Sequence, residues 1–217
     1  MDQFVSCHGR KSNAVMLDCR SLDCELVPIP DSVKFVICNT MVKHELSGGE
    51  YNVRRQQCEA GARILANAYR GIRALRDVSL EQLQAQASSM PEIIYKRCLH
   101  VVAENDRVIE TARMLRAGNL KSVGKLMADS HASLRDLYEV SCAELDIMVE
   151  AAHGLLGFIG GRMTGGGFGG CTVNLVRAGE VESFRQTVAR GYERATGRAP
   201  EIYVCSPAQG VGRVDGE

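Results

Sequence analysis

The sequence predicts an α+β fold, a mostly antiparallel sheet carrying helices on one face, and three observations lead to it. Short segments rich in Val, Ile and Leu crowd residues 14–38. A long stretch of helix-forming sequence then runs from about residue 47 to 153. Toward the C-terminus the order changes to strand, helix, strand.

Segments 14–17, 25–29 and 34–38 read as strands, separated by Asp/Arg/Ser and Pro-Asp-Ser turn chemistry. After residue 47, Ser-x-x-Glu/Gln recurs at Ser47/Glu50, Ser79/Gln82, Ser89/Glu92 and Ser141/Glu144, each ahead of helical sequence as a capping box would be. A helix is predicted over 90–117, where Ile94, Cys98, Val101, Val108, Ala112 and Leu115 recur at helical spacing. Gly118 supplies a left-handed stop. A second helix over 120–138 carries Val123, Met127, Leu134 and Tyr138 on one side, so the two form a hairpin whose apolar stripes are core. A strand at 171–176, a helix near 180–195 and a strand at 201–205 complete the order, and 210–217 reads as a frayed tail.

Composition narrows the partners. The 217 residues carry 26 basic and 26 acidic side chains spread evenly, so no field gathers nucleic acid or an anionic membrane. Nine cysteines, at 7, 19, 24, 38, 58, 98, 142, 171 and 205, never fall in C-x-x-C spacing, and none of the five histidines completes a zinc pattern. They read as reduced thiols and small buried hydrophobes, and no metal site is expected. The opening Met1-Asp2-Gln3-Phe4 lacks an apolar signal region and no run reaches the ~18 apolar residues of a membrane span. A cytoplasmic protein is the expectation.

Residues 160–170 place seven glycines in eleven positions, read as one packed loop leading into a strand. Two readings stay open from the residues alone: a backbone nest for phosphate or carboxylate oxygens, or a tight turn whose glycines let two backbones touch. Residues 165–170 also satisfy G-x-G-x-x-G. A dinucleotide site would need a helix directly after the glycines, whereas 171–176 reads as a strand, and no Gly-Lys-Ser/Thr follows for a Walker loop.

Read whole, GRMTGGGFGGCTVNLV at 161–176 resembles the third conserved motif of the GHMP kinase superfamily in its galactokinase form. MDQF at the start, LDCRSLDCELVPIP at 17–30, CNTMVKHEL at 38–46, EYNVRRQQCE at 50–59 and SLRDLYEVSCAELD at 133–146 agree in order and spacing. The resemblance implies that residues 34–217 form the GHMP kinase C-terminal domain and 1–33 a remnant of the N-terminal catalytic domain. It implies Asp2 as the catalytic base and Tyr51 as a galactose contact, since a carboxylate can accept a hydroxyl proton and a phenol can both donate and accept. Gly165, Gly166, Gly167 and Gly169 match the loop bordering phosphoryl transfer. Arg162 shapes that loop or contacts an anion, and Arg54 and Arg55 are structural or surface charges.

The implied substrates are D-galactose and ATP with Mg2+. The sugar-binding and phosphate-binding motifs expected upstream of MDQF, with the Mg2+ ligands, have no match in these residues. The chain by itself is therefore expected to be inactive, with the N-terminal segment possible as a separate chain. A non-catalytic sugar-sensing protein and a kinase for a related sugar such as N-acetylgalactosamine remain as alternatives.

Overall fold

The computed structural model describes residues 2–43 and 47–212. Residues 44–46 of the fourth motif, the side chain of Ser47 and the end of the tail lie outside the described residues. A short helix α1 (Asp2–His8) precedes the antiparallel hairpin of β1 (Asn13–Leu17) and β2 (Cys24–Pro28). Two ion pairs seat the tip of this hairpin, Arg20 on Asp77 and Arg76 on Asp18.

The main sheet has four antiparallel strands in the order β4-β5-β3-β6, formed by β3 (Val33–Lys43), β4 (Phe158–Met163), β5 (Gly169–Arg177) and β6 (Glu201–Cys205). Period-two alternation sends Val36, Cys38 and Val176 to one face. There they meet Met148 and Ala152 of α6 (Ala143–Ala152) and Phe184, Val188 and Tyr192 of α7 (Val181–Thr196). This is the expected helical layer. Phe35 and Leu175 point to the other face, where the hairpin of α4 (Glu92–Arg116) and α5 (Leu120–Ser133) packs with Leu115, Val123 and Met127, so that face is partly covered as well.

Local chemistry explains the α4–α5 turn. Gly118 takes φ +66°, and the N–H groups of Gly118 and Asn119 donate back to Leu115 and Met114, the paired bonds of a Schellman stop. Asn119 then caps α5 by accepting from the Ser122 N–H at 3.1 Å. A third cluster, with Leu65, Leu83, Cys98 and Val102 at its centre, joins α4 to α2 (Ser47–Ala68) and α3 (Leu80–Ala85).

Three expectations need correction. Ser79 does form the capping box with Gln82, but the N-cap positions of α4 and α6 fall on Pro91 and Cys142, two residues and one residue after the serines expected there, and neither makes a side-chain capping bond. Ser141 instead donates its hydroxyl to Asp146 at 2.6 Å. Helix 120–138 ends at Ser133 and continues as one π-helical turn, Leu134–Tyr138, closed by Glu139 at φ +54°. The glycine-rich stretch is not one loop, because residues 158–163 are strand β4 and only 164–168 turn. Gly160 and Gly161 fit a strand here because a Cβ on Gly160 would come 2.5 Å from the Gly124 Cα, and one on Gly161 2.3 Å from the Asn174 side chain.

Candidate functional site

The turn between β4 and β5 carries the glycines singled out from the sequence. Gly165, Gly167, Phe168, Gly169 and Gly170 all have positive φ, from +59° at Phe168 to +119° at Gly169. Thr164 N–H donates to the Cys171 carbonyl at 2.9 Å and Phe168 N–H to the Val140 carbonyl at 2.7 Å, which fixes both ends. Gly167 lies against this second anchor, where an added Cβ would stand 2.1 Å from the Val140 oxygen. At Gly165 and Gly166 an added Cβ would meet nothing within 4 Å, so their backbone faces open space. The turn is thus seated on one side and free on the other.

Helix α2 reaches the seated side. Arg54 is 8% exposed, and its guanidinium lies 5.9 Å from the centre of the Phe168 ring. Its Nε donates to the Tyr138 carbonyl at 2.7 Å, one Nη to the Glu139 carbonyl at 2.8 Å and the other to Glu50 at 3.0 Å. From α4, the fully buried Arg97 donates to the Leu137 carbonyl, to Gln57 and to the Glu139 carboxylate. Two guanidiniums therefore hold the π-turn that precedes Val140. Tyr51, one turn before Arg54, is exposed. Arg55 is exposed and paired with Glu59, a surface charge as expected.

Asp2 is exposed in the first turn of α1. The contacts of that region run to the C-terminal segment, with Val211 N–H donating to Ser6 at 2.7 Å and Gly210 N–H to Gly9 at 3.0 Å. Among the described residues no hydrogen bond or ring contact brings Asp2 to the glycine turn. Among the described residues, the Arg54–Phe168 contact joins the turn to the helix of Tyr51.

A buried polar group underlies β4. Arg162 does not enter the turn: it donates to the Met163 carbonyl at 2.9 Å and pairs with Glu104 at 3.1 Å, so it braces the turn's base. Burial pushes the Glu104 pKa up, but the Ser130 hydroxyl and the guanidiniums of Arg107 and Arg162 outweigh it and hold the carboxyl below its usual range. Burial also depresses the imidazoles, His100 to about 4 and His131 in the same direction. His131 Nδ1 accepts the Met163 N–H at 3.3 Å, and its Nε2 lies 3.3 Å from Asp146. His131 continues the stripe of Val123, Met127 and Leu134, so its inward position was readable from spacing. Arg54 and Val140 gave no such signal, since an Arg-Arg pair on a helix looks like surface charge and the π-turn has no sequence marker.

Among the described residues, no group of three or more His, Cys, Asp or Glu comes together to hold a metal ion. No described helix is long and apolar enough to cross a membrane.

Residues 111–194 match the family model "GHMP kinases C terminal". The chain is 48% identical over 214 residues to a galactokinase of Roseiflexus sp. (strain RS-1), a match covering 99% of this chain and 55% of that protein. It is 46% identical over 215 residues to a galactokinase of Pasteurella multocida (strain Pm70), covering 97% and 54%. Its fold superposes on the Lactococcus lactis galactokinase solved in complex with galactose with a TM-score of 0.86 at 36% identity, covering 93% of this chain and 52% of that one. A more distant likeness extends to fold alone: the L. major mevalonate kinase structure matches with a TM-score of 0.54 at 18% identity, covering 89% of this chain and 49% of that one. The chain spans about half the length of the curated relatives it matches. The chain thus carries a GHMP kinase C-terminal domain and is similar, over nearly its whole length, to about half of a galactokinase.

Proposed function

We propose that this chain supplies the catalytic-base and glycine-turn portion of a galactokinase, which transfers the γ-phosphoryl group of ATP to the anomeric hydroxyl of D-galactose. In this reading residues 1–33 belong with the catalytic N-terminal domain and 34–217 form the C-terminal domain. The hydroxyl oxygen attacks the γ-phosphorus, ADP leaves, and Asp2 takes the hydroxyl proton. Tyr51 contacts the sugar through its phenol, and the open backbone of Gly165 and Gly166 borders the group in transit. The observation that carries the reading is the contact of Arg54 with Phe168, which sets the Tyr51 helix beside the glycine turn. Asp2 serves the same sugar hydroxyl once the complementary half of a galactokinase is present. Mg2+ belongs with that half, and no step here runs through it. Nine free thiols suit a cytoplasmic setting.

The test is turnover. The purified chain is incubated with Mg-ATP and galactose, alone and with the N-terminal half of a galactokinase added as a separate chain, and galactose 1-phosphate is followed. Product only in the second mixture, lost with Asp2→Asn, is expected. Turnover by the chain alone would refute its inactivity, and no product in either mixture would count against the reading.

A further inference from the structure

We propose that Arg54 is a positioning residue that ties the helix carrying Tyr51 to the glycine turn; this deepens the galactokinase reading and rests on it for its functional meaning. The path is short and continuous. Arg54 clamps the Tyr138 and Glu139 carbonyls. Glu139 holds a left-handed conformation, φ +54°, that a residue with a Cβ adopts reluctantly and keeps only when its surroundings fix it. The next residue, Val140, accepts the Phe168 N–H, and the Phe168 ring returns to within 5.9 Å of the same guanidinium. The loop of contacts therefore starts and ends on Arg54.

Only arginine suits this place. Its planar fork serves two carbonyls and the Glu50 carboxylate from one side chain while presenting a flat face to Phe168, whereas a lysine ammonium offers a single point of charge. Arg97 fixes the same π-turn from α4, but its hydrogen bonds end on Gln57, Leu137 and Glu139, whereas Arg54 meets both the π-turn and Phe168. A shift of α2 is thereby passed to Phe168 and its neighbouring glycines. Sugar engagement at Tyr51 and the geometry of the phosphate-facing backbone are coupled through one side chain.

Amide and guanidinium hydrogen exchange on the 217-residue chain, read by NMR without any ligand, tests the tie apart from catalysis. In the unsubstituted chain the Arg54 Nε–H exchanges about tenfold or more slowly than that of Arg55, because only the first is buried against carbonyls. In Arg54→Lys the Phe168 amide exchanges about tenfold or more faster while Val188, in α7, changes less than about twofold. Equal Nε–H exchange at Arg54 and Arg55, equal acceleration at Phe168 and Val188, or no acceleration at Phe168 each overturns the proposal. If Arg54→Lys does not fold, Glu50→Gln decides: the carbonyl clamp survives, so Phe168 exchange stays as in the unsubstituted chain, and a rise confined to Phe168 overturns the clamp as the cause. No arm contains galactose, so failure of the sugar reading, seen by turnover, is distinguishable from failure of this one.

Discussion

Phe168 and Val140 are joined by a 2.7 Å hydrogen bond from the Phe168 N–H to the Val140 carbonyl, and this bond brings the glycine turn against the end of the π-turn. The contact makes the turn's glycines unequal. Gly167 has φ +87° and lies where a Cβ would overlap the Val140 oxygen, whereas Gly166 faces open space. Gly167→Ala should therefore cost roughly 2–4 kcal/mol, from left-handed strain and overlap together. Gly166→Ala should stay within about 0.5 kcal/mol. Urea unfolding of both variants checks this, and equal losses would show that the Val140 anchor does not set the turn.

The deepest close approach is elsewhere, between α5 and β4. A Cβ on Gly124 would come 1.8 Å from the Ile159 carbonyl oxygen, so the helix cannot accept even a methyl group without moving off the strand. Backbone does not yield as a long side chain does. Gly124→Ala should lower stability by roughly 2–4 kcal/mol and should also raise exchange at Met163, whose N–H is held by His131 on the same helix. A variant as stable as the parent would mean that α5 and β4 are less tightly seated than described.

How far the sequence reveals this fold follows from which signals are local. The Gly118 stop and the helical hairpin are written in neighbouring residues, and they were legible because caps and periodicity act within a few positions. Strand β4 was hidden because Gly160 and Gly161 lack the branched side chains that mark strands. What makes them strand residues is Gly124, some 36 positions away, and Asn174. The glycine stretch was read from composition and Tyr51 was singled out by resemblance, but the arginine between them was not, since nothing in Arg54-Arg55 says which of the two faces inward. Burial of one and exposure of its neighbour is a tertiary fact.

Stability should fall with acid through the buried imidazoles. Burial depresses His100 to about 4 in the folded chain and lowers His131, while an unfolded histidine titrates near ~6.5. The unfolded state thus binds more protons across that interval. The His100 contribution is complete above about pH 6.5 and is lost as pH falls toward about 4, at up to about 1.4 kcal/mol per pH unit, and His131 acts in the same direction. The Arg97, Arg107 and Arg162 guanidiniums around His100 favour the neutral ring further, while Glu104 opposes them. Urea midpoints measured from about pH 7.5 down to about 5 should decline, and His100→Asn should flatten the slope. A pH-independent midpoint over that range would show the rings to be hydrated.

Arg97 should be among the costliest side chains to remove. It is 1% exposed, and its donors satisfy Gln57, the Leu137 carbonyl and the Glu139 carboxylate. Arg97→Met fills similar volume but leaves the half-buried Leu137 carbonyl and Gln57 amide without these partners. Glu139 is 44% exposed at its side chain and can turn to water, which moderates the loss. A cost of roughly 3 kcal/mol follows, with most of it unfolding the π-turn before the sheet. Thermal unfolding should show the fall, and exchange at Val140 should rise ahead of exchange at Val36 in β3. If both amides open together, the π-turn is part of the global core and has no separate stability to lose.

Tyr51 offers the last contrast, because it is exposed and its hydroxyl carries no packing role in the described structure. Tyr51→Phe should leave the unfolding midpoint within about 0.5 kcal/mol of the parent. Galactose binding to the chain joined by its complementary half should weaken by about fivefold to tenfold, the worth of one lost hydrogen bond. Arg55→Gln, on the same helix and equally exposed, removes only a surface pair with Glu59 and should leave sugar affinity within about twofold. Calorimetric titration of the two variants separates a sugar contact from a general effect of the helix, since equal losses in both would leave Tyr51 no part in recognising galactose.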